Sequence, residues 1–332
     1  MGVKVLRRIQ LGRETTPGTP VAATTILRAN GATIEDDTLL EFPDENIALL
    51  VPTTRVARTA VGAKLAISDM PATFEQLPYV LAGAIRNIVS GTADGGGSGR
   101  IYTYNFSTIS PNPITTFTIE AGNDVQAERM EYSFVREFAL SGAPKSVIKI
   151  SSDWYGRQAT NVSFTGSLSV PTVEEIIFQG ARLFIDNENA IGTTLRSNTL
   201  LGFNLSVTTG WKEQFCGDGT LHFSFIKHIG GSGTLEVTFE HNSIAVAEKT
   251  NWRNRTIRAV RLLIEGSNLG TAGPGYTRKT LRIDGWGVWE KFDVLDEQDG
   301  NDIVKGTLRL GYSSVATKML EITVVNELAS LP

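Results

Sequence analysis

One cysteine, Cys216, is all that the 332 residues contain, so no disulfide can form within the chain. Histidine is nearly as scarce. His222, His228 and His241 share no acid or cysteine at a ligand spacing, which leaves zinc sites and Ser-His-Asp chemistry little raw material. No apolar run approaches the roughly 18 residues of a membrane-spanning helix. The opening MGVKVLRRIQLGRETTPG is basic but carries no apolar stretch of a secretory signal, which predicts synthesis in a cytoplasm. A large excess of either charge is missing too. The net charge of −4 and pI near 5.6 give no global footprint for nucleic acid.

What is present is glycine, 33 residues of it, bounding short apolar runs that read as many strands and turns. At roughly 100 to 200 residues per domain the length predicts two domains, divided near 1–165 and 166–332. GAKLAISDMPATFEQLPYVLAGAI, Gly62 to Ile85, switches period within itself. Leu65 and Ile67 alternate with Lys64, Ala66 and Ser68 as on a half-buried strand. Thr73 and Gln76 then form a capping-box pattern, and Leu77, Val80, Leu81, Ala84 and Ile85 fall on one helical face. Such a helix in a β-rich chain is expected to close one face of a sandwich or barrel.

The remaining chain reads as strands, with Val3 to Leu11 as the first. Ile47 to Val61 predicts a long hairpin or ribbon. Its apolar Leu49, Leu50 and Val51, near Arg55 and Arg58, suit a subunit contact, or else fold back on their own domain. SGTADGGGSGR, Ser90 to Arg100, reads as a flexible surface loop, because a phosphate cradle needs a helix after it and a strand follows instead. Further strands are expected at Ile101–Phe106, Ile114–Glu120, Met130–Leu140, Ser146–Trp154, Val162–Val170, Glu174–Phe178, Ala181–Asp186, Phe203–Val207 and Leu221–Ile226. Thr234–Phe239, Ala259–Glu265, Thr280–Phe292, Lys305–Tyr312 and Leu320–Val325 complete the set, with a short helix at Ser243–Asn251.

The order strand, helix, strand, long hairpin occurs twice. AKLAISD (Ala63–Asp69) lies over GTLEVTF (Gly233–Phe239), FTIEAGN (Phe117–Asn123) over LLIEGSN (Leu262–Asn268), and the hairpin from Met130 to Gly156 over that from Leu281 to Ser314. Chance similarity between alternating strands is the competing explanation. The shared order, with one helix at the same place, favours an internal duplication.

Two charged stretches invite a chemical reading. WRNRTIRAVR carries Arg253, Arg255, Arg258 and Arg261 beside Trp252, and reads as an interface or solvated face before a DNA patch. DVLDEQDGND, with Asp293, Asp296, Asp299 and Asp302, departs from the spacing of a calcium loop and reads as a solvated hairpin turn that could meet the arginines across a subunit contact. Arg253, Arg255, Asp296 and Asp299 are therefore the subunit-interface candidates. Trp286 and Trp289 are expected in a core or interface. No catalytic, cofactor or metal residue is singled out.

Four stretches resemble the major tail tube proteins of long-tailed, non-contractile bacteriophages: IQLGRETTPGTPVAATTILR (Ile9–Arg28), ATFEQLPYVLAGAI (Ala72–Ile85), RLFIDNENAIGTTLRSNTLLGFNLSVTTGW (Arg182–Trp211) and YSSVATKMLEITVVNELASL (Tyr312–Leu331). The resemblance implies a mainly β fold of β-sandwich or half-barrel domains, each flanked by one helix, whose sheets join between subunits into a barrel lining a tube. It implies a structural virion protein, not an enzyme and without cofactor, made in the host cytoplasm and assembled into the phage tail. Its partners would be further copies of itself, tape-measure and tail-terminator or initiator proteins, and double-stranded DNA passing through the lumen at ejection, with no membrane insertion. Single-domain members form rings of six, so two fused domains predict a trimeric pseudo-sixfold ring, with a hexamer as alternative. Leu49, Leu50, Val51, Arg55 and Arg58 become candidates for contact between rings. Because each phosphate neutralised by Lys or Arg adds affinity, the lumen strands are expected to expose Asp, Glu, Ser and Thr. The competing classes are a virion receptor- or carbohydrate-binding β-sandwich, which would cluster exposed aromatics on loops, and a glycoside hydrolase with paired carboxylates.

Overall fold

The computed structural model of the chain describes residues 2–51 and 53–332. The fold is mainly β, built on a large antiparallel sheet with two helices. The chain opens with β1 (Arg8–Arg13), β2 (Thr25–Leu27), β3 (Glu35–Asp36), β4 (Leu39–Glu41), β5 (Ala57–Ala60) and β6 (Ala63–Pro71), followed by α1 (Leu77–Ala84). Next come β7 (Thr92–Ala93), β8 (Arg100–Asn105), β9 (Phe117–Gly122), β10 (Ala127–Gly142), β11 (Lys149–Gly156) and β12 (Ala159–Val162). The second half holds β13 (Ala181–Asn187), β14 (Leu200–Thr208), β15 (Trp211–Gln214), β16 (Phe225–His228), β17 (Ser232–Glu240), α2 (Ser243–Arg253), β18 (Ile257–Asn268), β19 (Arg278–Phe292), β20 (Asp296–Gln298), β21 (Asn301–Leu310) and β22 (Leu320–Asn326).

Both helices are entered through a side-chain hydrogen bond, which at α1 closes the turn ahead of the helix, Gln76 itself capping nothing, and at α2 caps its N-terminus. Thr73 Oγ1 accepts from the Gln76 N–H at 3.2 Å, but the Gln76 side chain turns away to Ile26 O and Arg28 N, so only half of the expected capping box forms. Every residue of α1 is buried, where one apolar face was expected, because sheet and loops enclose it on all sides. Asn242 Oδ1 caps α2 through the Ile244 and Ala245 N–H groups, and this helix turns only Ala245 and Glu248 fully inward.

The ladders follow one plan in the two halves. In the first, β1 pairs with β9, β9 with β10, β10 with β11 and β12, and β11 with β6. In the second, β13 pairs with β18, β18 with β19, β19 with β21 and β22, and β21 with β17. The bulges correspond as well: Val135 to Glu137 opposite Trp154 and Asp153, and Trp289 to Lys291 opposite Leu308 and Thr307. β14 stitches the halves together, pairing with β17 on one side and with the C-terminal half of β10 on the other. A single apolar cluster runs through both halves, from Ile9 to Leu331. A smaller aromatic one gathers Tyr132, Phe134, Tyr155, Trp211 and Phe223.

Several expectations are corrected. Lys4–Leu6 is a 3-10 turn, and β1 starts only at Arg8. The strand expected at Leu221–Ile226 lies instead at Phe225–His228 and pairs with Trp211–Gln214, which was not foreseen. Beyond Val162 the chain makes only isolated bridges, Thr73 to Glu175 and Val147 to Ile177, until β13. The glycine-rich loop is anchored to the second half. Asp94 accepts from the Gly275 and Tyr276 N–H groups, and Ser98 bonds with Thr271 and Glu327. Gly97 packs so closely on Gly273 that a side chain there would meet its backbone at 2.7 Å, which is why glycine fits.

Candidate assembly surface

Traced through its ladders, one strip of sheet runs β3, β6, β11, β10, β14, β17, β21, β19. Its inner face belongs to the core: Leu65, Ile67, Trp154, Phe138, Leu140, Leu205, Val207, Leu235, Val237 and Leu308 are all buried. The opposite face is solvent-accessible. It presents Ser68, Ser151, Ser141, Asn204, Ser206, Thr208, Thr234, Thr238 and Thr307 with charges of both signs, among them Glu137, Asp153, Glu236, Lys64, Lys149 and Lys305. Hydroxyl groups dominate this face, with lysines standing beside the acids.

The strip ends on two strand edges that no described ladder covers. At one end β3 pairs only with β6, through Glu35 opposite Lys64 and Asp36 opposite Ala63. At the other, the C-terminal end of β19 has β21 on one side, while on the other β18 stops opposite Val288 and no described strand follows it, the Trp252 Nε1 alone donating to Glu290 O at 3.1 Å. In the first half the matching edge of β10 is filled by β14, with Glu137 opposite Thr208 and Leu140 opposite Leu205. Exposed, uncovered edges are unusual on a finished surface because they template pairing with another chain.

Next to the β3 edge stands the hairpin β4–β5, in register at Leu40 opposite Arg58. Leu49 is 61% exposed, Leu50 fully exposed and Val51 65%, so these residues do not fold back on their own chain. Arg55 pairs with Glu45 at 2.8 Å, whereas Arg58 has no ion pair among the described residues. The equivalent hairpin of the second half, β15–β16, is covered. Phe223 packs on Tyr132, Phe134 and Tyr155, and Trp211 Nε1 donates to Ala84 O at 3.2 Å. Arg136 meets Glu213 at 2.6 Å, and Arg157 donates to Phe223 O and Ser224 O.

The arginine stretch divides. Arg258 is buried, and its guanidinium grips Glu248 with two hydrogen bonds of 3.0 and 2.8 Å. Arg261 pairs with buried Asp284 at 2.6 Å, which raises its pKa. Arg253 at the end of α2 and Arg255 just beyond it stay exposed, as do Asp296 in β20 and Asp299 in the following turn. Those four do not pair with one another among the described residues. Sequence spacing could not separate Arg258 from its neighbours, because its partner sits one helix face away in α2.

A cleft of about 560 Å³ opens on the exposed face of the strip, lined by Arg7, Glu35, Lys64, Arg136, Glu137 and Asp153. Burial, reinforced by the neighbouring Glu137 carboxylate, pushes the Asp153 carboxyl above its ordinary range. Among the described residues no group of histidine, cysteine and acid side chains has the arrangement of a metal site. His228 instead stacks near Trp211 and bonds Thr209 O at 3.0 Å. No helix is long and apolar enough to cross a membrane. Compared with models of known protein families and with curated proteins, the chain matches none.

Proposed function

We propose that the chain is a structural, self-assembling tube protein made of two fused copies of one domain, and that three chains close a pseudo-sixfold ring. The observation that carries this reading is the seam inside the chain. β14 of the second half completes the sheet of the first, and the same two edges, β3 and the end of β19, stand uncovered at the ends of the strip. A neighbour's β3 segment then joins β19 as β14 joins β10. Superposing the bulges gives the register: Asp37 opposite Lys291 and Ile34 opposite Val294, which is 83% exposed in the single chain.

Closing a sheet this way removes its edges altogether. With eight strands contributed by each chain, three chains make a barrel whose backbone circle is about 45–50 Å across, from a strand spacing near 4.8 Å and a tilt near 40°. That leaves room for a DNA duplex. The hydroxyl-rich face with charges of mixed sign would line the lumen, where few unopposed cations hold phosphate and the duplex can slide. Rings of this kind would stack into a phage tail tube through which the genome is ejected, alongside tape-measure and tail-end proteins.

Electron microscopy of the purified protein is expected to show hollow tubes, and mass photometry of single rings a species of three chains. In a Cys216→Ser background, the pair Asp37→Cys and Lys291→Cys is expected to crosslink rings into covalent trimers under oxidation. Discrete monomers at every salt concentration would overturn the reading, and six-chain rings would replace the trimer with the hexamer.

A further inference from the structure

We infer that the apolar hairpin β4–β5 is a lateral clasp that lies on the second half of the next copy within the same ring, held there by Arg58 against Glu290. This inference rests on the ring reading above and names the partner surface: a second copy of the same chain.

The template is again inside the molecule. Both hairpins are inserted at corresponding points, β15–β16 between β14 and β17 and β4–β5 between β3 and β6. Their registers coincide when the flanking ladders are superposed: Trp211 lies opposite His228 as Leu40 lies opposite Arg58, each pair counted from the equivalent positions Thr208 and Asp37 on one side and Thr234 and Lys64 on the other. Yet their environments differ. Trp211 is 8% exposed on the first half, and its counterpart Leu40 is 45% exposed.

The surface that would receive β4–β5 follows from the matched bulges. Glu290 holds the position of Arg136, and Arg309 that of Tyr155. In the first half Arg136 stacks over Tyr155 at 3.6 Å and takes an acid, Glu213, from the docked hairpin. In the second half the surface offers the acid Glu290, and the free hairpin carries Phe42 at the place of Glu213 and the unpaired base Arg58 at the place of His228, diagonal to it on the same hairpin face. Glu290 meets Arg309 at 3.3 Å, but both side chains remain largely exposed and open to a further partner. Exposed Ile257, in the ladder row Ile257–Val288–Arg309, supplies apolar ground for the hairpin's Leu40 and Phe42. Charge also sorts the hairpins, since β4–β5 on the first-half site would bring the cation Arg58, and no acid at the place of Glu213, toward Arg136.

Charge exchange tests this. Arg58→Glu and Glu290→Arg are each expected to lower the three-chain species by about tenfold or more at low salt, the equivalent of about 1.4 kcal/mol. The double variant Arg58→Glu/Glu290→Arg is expected to restore it. Both positions are exposed, so thermal unfolding of the isolated chain is expected to stay unchanged and to control for folding. If the single variants keep three-chain rings but stop tube growth, the hairpin acts between rings; the clasp is then wrong and the tube reading stands. If rings form normally and tubes grow, or if the double variant fails to recover, the clasp is also overturned. A wild-type protein that forms no ring sinks the tube reading and the clasp with it.

Discussion

Glu248 shows how much a single side chain decides inside this fold. It sits on the inward face of α2 and accepts from Arg258 Nε at 3.0 Å, Arg258 Nη2 at 2.8 Å and Trp289 Nε1 at 3.0 Å. Replacing it by leucine would strand a buried guanidinium, so Glu248→Leu is expected to cost about 3–5 kcal/mol in urea unfolding. Glu248→Leu/Arg258→Met is expected to recover most of that loss, since removing both charges leaves neither unpaired. A loss below about 1 kcal/mol in the single variant would mean that Asn187, which Arg258 also reaches, suffices alone. Asp153 and Asp186 make an opposite pair in pH dependence. Burial and Glu137 raise the Asp153 pKa, so its contribution to stability falls as pH rises from the unfolded value of about 3.9 through the folded one. Asp153→Asn is expected to raise the melting temperature at pH 7 and to do so less near pH 3. At Asp186 burial acts upward, but hydrogen bonds from Thr194 and Thr193 outweigh it and hold the pKa low. Its stability is present above the unfolded pKa and is lost as pH falls through the folded one. Asp186→Asn should therefore flatten the acid limb of the unfolding curve, and an unaltered limb would count against that assignment.

Elements differ in how much of them the sequence carried. The helix after Thr73 was legible because cap and periodicity are local, and so were the long strands β10, β17, β19 and β22. Thr73→Ala is expected to cost about 1 kcal/mol in chemical denaturation, the usual value of a buried hydrogen bond, here the one from the Gln76 N–H that closes the turn before α1. The small hairpin β15–β16 was read in part, and its first strand was missed altogether. Its alternation is weak, and its order comes from Tyr132, Phe134 and Tyr155, which lie far away in sequence. The glycine-rich loop was misread for a related reason. Composition records that its backbone can take many shapes, while Asp94 and Ser98 select one by bonding to Gly275, Tyr276 and Thr271.

The whole molecule is two similar ladder plans joined by β14 and by the pairing of β8 with β22, with one strip of sheet left without a partner strand at both ends. The proposed ring depends on that strip. Asp37 and Gly62 exchange both backbone hydrogen bonds, so the alternation of the ladder turns the Asp36 N–H to the open edge, and Asp36→Pro would remove that outward donor. It is expected to abolish rings while the core, which holds neither Glu35 nor its neighbour Asp36, keeps its melting temperature within a few degrees. Loss of folding together with rings would show that β3 serves the chain itself.

By itself the sequence determined the class of fold, because alternation with period two and a single capped helix per half are written in neighbouring residues. The repeated order, in which FTIEAGN and LLIEGSN keep the same place relative to a helix, is the sequence's expectation, and the proposed duplication rests on it. Which strand edges are filled and which stand open was decided only in three dimensions. β14 and β10 are far apart along the chain, and nothing in the residues of β19 announces that β10's neighbour has no counterpart beside it. The fate of the arginines was decided there too. Burial and partners, Glu248 for Arg258 and Asp284 for Arg261, are properties of packing across elements, and a one-dimensional string of charges does not contain them.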